Sequence, residues 1–133
     1  MKNDSELMDV AKEAMKSAYA PYSHFSVGAA VETDDGEVYC GCNIENSSYG
    51  ATICAERTAI SKAVSEGYRI ITRIAICDSN NSFAWPCGIC RQGMSEFAVE
   101  YFYVILEDNG KLSNFFLKEL LPNIFSGKDI NKK

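Results

Sequence analysis

Nowhere in the 133 residues do apolar side chains run long enough to span a bilayer, and the first twenty-odd residues lack the continuous apolar core of a secretion signal. These two absences predict a cytoplasmic protein with no membrane partner. Clusters of positive charge are missing as well. Thirteen lysines and arginines stand against eighteen acidic residues, the formal charge is -5, and only Lys132-Lys133 sets two cations side by side. A surface of that sign repels a polynucleotide backbone, so any nucleic acid component it binds is small and carries little or no charge. Histidine occurs once, at His24, and a lone histidine is assigned no role. Repeats, low-complexity stretches and linkers are absent, and the three prolines (Pro21, Pro86, Pro122) each fall where an element begins or ends. Residues 1–133 are therefore expected to form one domain, with enough of its 47% hydrophobic residues to bury a core without staples.

Cysteine, by contrast, is plentiful: Cys40, Cys42, Cys54, Cys77, Cys87 and Cys90. In a cytoplasmic chain with its own core, clustered cysteines point to metal binding or redox chemistry in preference to disulfides.

Periodicity supplies the frame. With Asp4 or Ser5 as N-cap, Leu7, Met8, Ala11, Ala14, Met15 and Ala18 recur at helical spacing until Pro21. Two β-prone runs, Phe25 to Thr33 and Glu37 to Ile44, flank the hairpin signal Asp35-Gly36. Cys54 to Ser65 has helical composition and leads into the isoleucine-rich strand Ile70 to Cys77. A second helix-to-strand unit follows, Gly88 to Phe97 and then Tyr101 to Leu106. A weak strand over Lys111 to Phe115, a short helix containing Leu117, Leu120 and Leu121, and a loose tail from Ser126 complete the chain. Strands interleaved with helices predict an α/β fold: a three-layer α/β/α domain around one mixed sheet of about five strands.

Chemistry concentrates in Cys54-Ala55-Glu56-Arg57 and Pro86-Cys87-Gly88-Ile89-Cys90-Arg91. Cys54 starts one predicted helix while Cys87 and Cys90, one turn apart, start another. Helix N-termini present unpaired N–H groups and positive dipole ends, so the three thiols are expected to ionise and ligate. The cation that suits them is zinc, and three protein ligands leave a fourth tetrahedral position open for water, the mark of a catalytic site. Three thiolates make the centre formally -1. Arg57 and the helix ends are the positive groups available to offset that charge. Glu56, two positions past the first ligand, suits a proton shuttle. A thioredoxin-like dithiol would explain Cys87 and Cys90 but leave Cys54-Ala55-Glu56 unused. A structural four-cysteine site would need Cys40, Cys42 or Cys77, which lie on predicted strands as ordinary buried thiols.

Cys54-Ala55-Glu56 with Pro86-Cys87-x-x-Cys90 is similar to the zinc-deaminase signature, with cysteine in place of histidine at the first ligand. Tyr22 to Ala30, Gly41 to Asn46 and Cys54 to Ala59, in that order, resemble the small homotetrameric cytidine deaminases along nearly the whole chain. The resemblance implies zinc-assisted attack of water at C4 of cytosine, with Glu56 protonating ring N3 and then the departing amine, to give uridine and ammonia. It implies further that Asn43 and Glu45 bond the ribose hydroxyls and that Phe25 packs on the pyrimidine ring. From a neighbouring subunit, Phe125 would reach the pocket across an interface. The implied substrate is a free nucleoside, cytidine or 2′-deoxycytidine, in pyrimidine salvage. Blasticidin-type and other small-molecule deaminases are the neighbouring alternative. Two departures stand out: Trp85 where a small polar residue is usual, and Ile89 where a small residue is usual.

Overall fold

The computed structural model describes residues 2–130; the Lys132-Lys133 pair lies outside them. Its frame is one five-stranded mixed sheet: β1 (Val27–Thr33), β2 (Val38–Cys42), β3 (Ile71–Asp78), β4 (Ala98–Asp108) and β5 (Lys111–Phe116), in the order β2-β1-β3-β4-β5. Only β3 and β4 run parallel, joined by a helix, while the other neighbours are antiparallel. Among the described residues five α-helices accompany it, α1 (Asp4–Met15), α2 (Ala55–Ser65), α3 (Gly88–Phe97), and the single turns α4 (Leu117–Leu120) and α5 (Gly127–Ile130), with one 3-10 turn at Tyr49–Ala51.

Alternation along the strands sorts the core into two halves, because successive side chains leave a strand on opposite faces. On one face Ala30, Ala75, Cys77 and Ile105 meet Leu7, Met8 and Ala11 of α1. On the other, Ala29, Val31, Ile74, Ile76, Val104 and Leu106 meet Ala55, Ala59, Ile60 and Ala63 of α2 and Cys90 and Met94 of α3. The expected three-layer arrangement is the one observed. Two glycines let the helices approach this closely. A Cβ on Gly28 would stand 2.0 Å from the Ala11 carbonyl oxygen, and one on Gly41 would stand 2.7 Å from the Ala59 nitrogen.

Some boundaries differ from the sequence reading. Helix α1 is capped by Asn3, whose side chain accepts from the Glu6 N–H while Glu6 returns a bond to the Asn3 N–H, so neither Asp4 nor Ser5 is the cap. Asp4 is instead occupied by Arg73, Tyr103 and Asn114. The helix stops at Met15, short of Ala18, because Tyr19 leaves to bridge Ile44. Strand β4 begins at Ala98, directly after α3, and not at Tyr101. The tail from Ser126 is not loose through 130: Ser126 and Asp129 bond each other across the turn of α5. Among the described residues, no helix is long and apolar enough to cross a membrane.

Candidate active site

Cys54 is the N-cap of α2, Cys87 is the N-cap of α3, and Cys90 lies in the first turn of α3. Neither capping cysteine spends its side chain on the helix, so both sulfurs are free to face one another. The chain reaches Cys54 through reciprocal backbone bonds between Ile44 and Ile53, which return it from the end of β2 to the sheet. It reaches Cys87 from the end of β3 through the loop 79–86. The two helices therefore begin side by side.

The three sulfurs lie within 4.8 Å of one another, and Cys54 Sγ stands 3.8 Å from Cys87 Sγ. Two thiolates each about 2.3 Å from a tetrahedral zinc are separated by about 3.8 Å, so this spacing fits the metal. Among the described residues no other group of three or more His, Cys, Asp or Glu side chains converges in this way.

Electrostatics make the same case. The Cys54 thiol is pulled down to about 5, first by its hydrogen bond with Cys90 and then by bonds from Arg57 and Cys87. Cys90 moves the opposite way, pushed up because it donates to Cys54 and is buried beside Glu56.

Arg57 Nη2 donates to Cys54 Sγ at 3.6 Å. Its Nε is buried with no partner among the described residues. Glu56 is 4% exposed, and burial, with the Cys54 charge beside it, pushes its carboxyl up to about 7. A carboxyl poised there can give and take a proton near neutrality.

Above the sulfurs opens a cavity of about 410 Å³. Cys54, Glu56 and Cys87 form one end, Ser23, Asn43, Glu45, Thr52 and Asp78 are its other polar groups, and Phe25, Val27, Ile53, Phe83 and Trp85 supply apolar walls. The lining contains three carboxylates (Glu45, Glu56, Asp78) and no lysine, arginine or histidine, which disfavours a phosphorylated ligand.

Of the residues singled out in the sequence, Phe25, Asn43, Glu45, Cys54, Glu56 and Cys87 line this cavity, and Cys90 lies beneath it in the sulfur trio. Asn43 has a second task. Its Oδ1 accepts from the Val27 N–H at 2.9 Å and its Nδ2 donates to the Phe25 carbonyl at 2.8 Å, fixing the segment that carries Phe25. Glu45 is held by the N–H groups of Tyr22 and Ser23 and by the Ser23 hydroxyl, and these bonds keep its carboxyl below the usual range. Phe125 is not in this chain's cavity; it is 59% exposed, with its carbonyl accepting from Gln92 Nε2. Ile89 is 66% exposed and also outside the lining, so of the two sequence departures only Trp85 shapes the cavity.

Two contributors were missed. Asp78 ends β3 at the cavity wall, a place no local motif marks. Arg91 donates from Nε to the Pro86 carbonyl and from Nη1 to the Leu120 carbonyl, both at 2.7 Å, tying the Cys87 loop to α4. Its position next to Cys90 was the available signal.

Residues 1–106 match the family model described as the cytidine and deoxycytidylate deaminase zinc-binding region. The chain belongs to this family. Zinc is accordingly the cofactor that Cys54, Cys87 and Cys90 are positioned to hold. The cytidine deaminase of Halalkalibacterium halodurans is 45% identical over 126 residues, covering 94% of this chain and 96% of that protein. That of Sporosarcina psychrophila is 43% identical over 127 residues, covering 95% and 93%. A crystal structure of cytidine deaminase from Burkholderia pseudomallei superposes with a TM-score of 0.88 at 42% identity, covering 93% of this chain and all of that one.

Proposed function

We propose that this member of the deaminase family hydrolyses cytidine, and 2′-deoxycytidine, to the uridine counterpart and ammonia. The observation that carries the reading is the buried Glu56 carboxyl beside three converged sulfurs at one end of a cavity of about 410 Å³. Bound zinc supplies Lewis-acid chemistry that makes water a nucleophile near neutral pH. Glu56 takes a proton from water, delivers it to ring N3, and carries the second proton to the amine as the C4–N bond breaks. Arg57 offsets the excess negative charge of three thiolates through its bond to Cys54. Phe25 stacks on the pyrimidine, while Asn43 and Glu45 take the ribose hydroxyls; Glu45, already ordered by Tyr22 and Ser23, accepts without further loss of side-chain freedom.

Residues 1–133 act in this reading as one catalytic domain. A homotetramer is favoured by the exposed apolar side chains of the cavity lining, Phe25, Ile53 and Trp85, with Phe125 exposed outside it and available to a neighbour's cavity. The absence of basic clusters and of membrane-spanning helices among the described residues suits a cytoplasmic enzyme of pyrimidine salvage.

The test is an ultraviolet assay of purified protein with cytidine, 2′-deoxycytidine, free cytosine and blasticidin S, alongside a zinc determination. Turnover of the two nucleosides with one zinc per chain is expected. Turnover of blasticidin S alone, or zinc-loaded protein inert toward cytidine, overturns the assignment.

A further inference from the structure

The geometry points to Trp85 as a specificity-determining residue: its indole forms a rigid wall that limits what the pyrimidine can carry at C5. This inference rests on the nucleoside deaminase reading above.

Trp85 is 50% exposed and yet lines the cavity, two residues before Cys87. It is not free to swing. Its ring lies 4.9 Å from that of Phe115 on β5 and 5.5 Å from that of Phe83, which meet each other edge-on at 5.8 Å. Such aromatic contacts fix orientation as well as burying area. The loop that carries it is pinned at its start. Asp78 Oδ1 accepts from the N–H of Asn80 at 3.0 Å, and Ser79 and Ser26 exchange two bonds at 2.9 and 3.1 Å. Farther along, the Asn81 carbonyl accepts from the Asn109 N–H at 2.9 Å. Pro86 then fixes the backbone between Trp85 and the Cys87 ligand.

The pyrimidine has one polar edge, N3 with the C2 carbonyl, and one apolar edge, C5 with C6. With C4 brought over the sulfur trio, N3 belongs against Glu56, the group able to protonate it. The apolar edge then belongs against an apolar wall. Two apolar walls adjoin the trio: Ile53, next to Cys54 at the start of α2, the helix that carries Glu56, and Trp85, two residues before Cys87 at the start of α3 and paired with Phe83; the edge opposite N3 belongs on the Trp85 side. Because the aromatic cluster and the pinned loop hold it in place, the wall cannot yield to an added methyl group; an overpacked rigid contact costs binding instead.

The experiment compares kcat/KM for 5-methylcytidine with that for cytidine in the zinc-loaded wild type, in W85A and in W85F. Taking a ratio within each protein cancels any general loss of activity. We expect W85A to raise the 5-methylcytidine to cytidine ratio at least about ten-fold, within the range that one methyl group in a hydrophobic pocket provides, and W85F to fall between. An unchanged ratio in both active variants overturns the inference while leaving the deaminase reading intact. So does a wild-type ratio near one. A wild type that fails to turn over cytidine removes the deaminase reading, and this inference with it. If W85A does not fold, the W85F ratio decides alone: an increase supports the wall and equality with the wild type refutes it.

Discussion

Two arginines anchor the two polar clusters of this molecule, and they are treated in opposite ways. Arg73, 6% exposed, bonds through all three guanidinium nitrogens: Nε and Nη2 on the Glu32 carboxylate, Nη1 on Asp4, and Nη2 again on the Lys2 carbonyl. Around it Tyr103 and Asn114 bond Asp4, and Thr72 bonds Glu32. Arg57, at the sulfur cluster, makes one bond to Cys54 and keeps a buried Nε without a partner among the described residues. The first cluster is a closed lock between α1 and the sheet. The second is left unsatisfied, with three thiols placed to hold a cation, a buried carboxyl beside them and an arginine Nε without a partner among the described residues. Saturation marks structure here, and incompletion marks the reaction site.

Cysteine replacement should break the contrast most severely. Cys87→Ser removes one of three ligands, so zinc is expected to be lost and turnover with it, because metal binding also ties α2 to α3. Metal analysis of the purified variant checks this; stoichiometric zinc with wild-type rates would contradict it. Next in size, Glu56→Gln should keep zinc but lose about 100- to 10,000-fold in kcat, the usual range for a positioned proton-transfer group. Zinc content and turnover measured on one sample separate the two roles.

In the lock, Arg73→Met should cost about 3–5 kcal/mol of stability, since it leaves Glu32 buried and uncompensated. Denaturant unfolding gives the number, and folded variant that remains active would confirm that the lock holds structure only. The acid side sharpens this further. Burial pushes the Asp4 and Glu32 carboxyls up, but the bonds from Arg73, Tyr103, Asn114 and Thr72 together outweigh it and leave both below their ordinary values of 3.8 and 4.5. Groups with depressed native values stabilise the fold fully above the ordinary values and lose that contribution as pH falls through the depressed ones. Stability should therefore drop below about pH 4.5 in the wild type, with a shallower slope in Arg73→Met. Equal slopes would remove the Arg73 lock as the cause.

Glu45→Ala should have the smallest effect: a raised KM for cytidine with kcat nearly kept, because the carboxylate binds ribose away from the reacting carbon. A fall in kcat with KM unchanged would place Glu45 in the chemistry instead.

How far the sequence reached differs between these regions. The sulfur site was legible because its parts are local: Cys54, Glu56 and Arg57 share one helix start, and Cys87 and Cys90 share another, so spacing states the geometry within each group. The lock was not. Asp4 read as a cap and Arg73 as a strand residue, since nothing in the chain announces a pairing across 69 residues. Phe25, Asn43 and Glu45 came through resemblance, and the structure does bring them to one cavity. Trp85 was visible as an anomaly, but that it lines the cavity depended on packing with Phe83 and Phe115, far along the chain in the case of Phe115.

The sequence by itself determined the layers of the fold and the identity of the metal-binding groups, because alternation, helical spacing and helix-start chemistry act over a few residues. Only the tertiary structure decided which N-termini meet, which carboxylate is closed off by Arg73 and which walls enclose the cavity. Those outcomes depend on contacts between elements far apart in the chain, where close packing and complete hydrogen bonding choose among many locally equivalent arrangements.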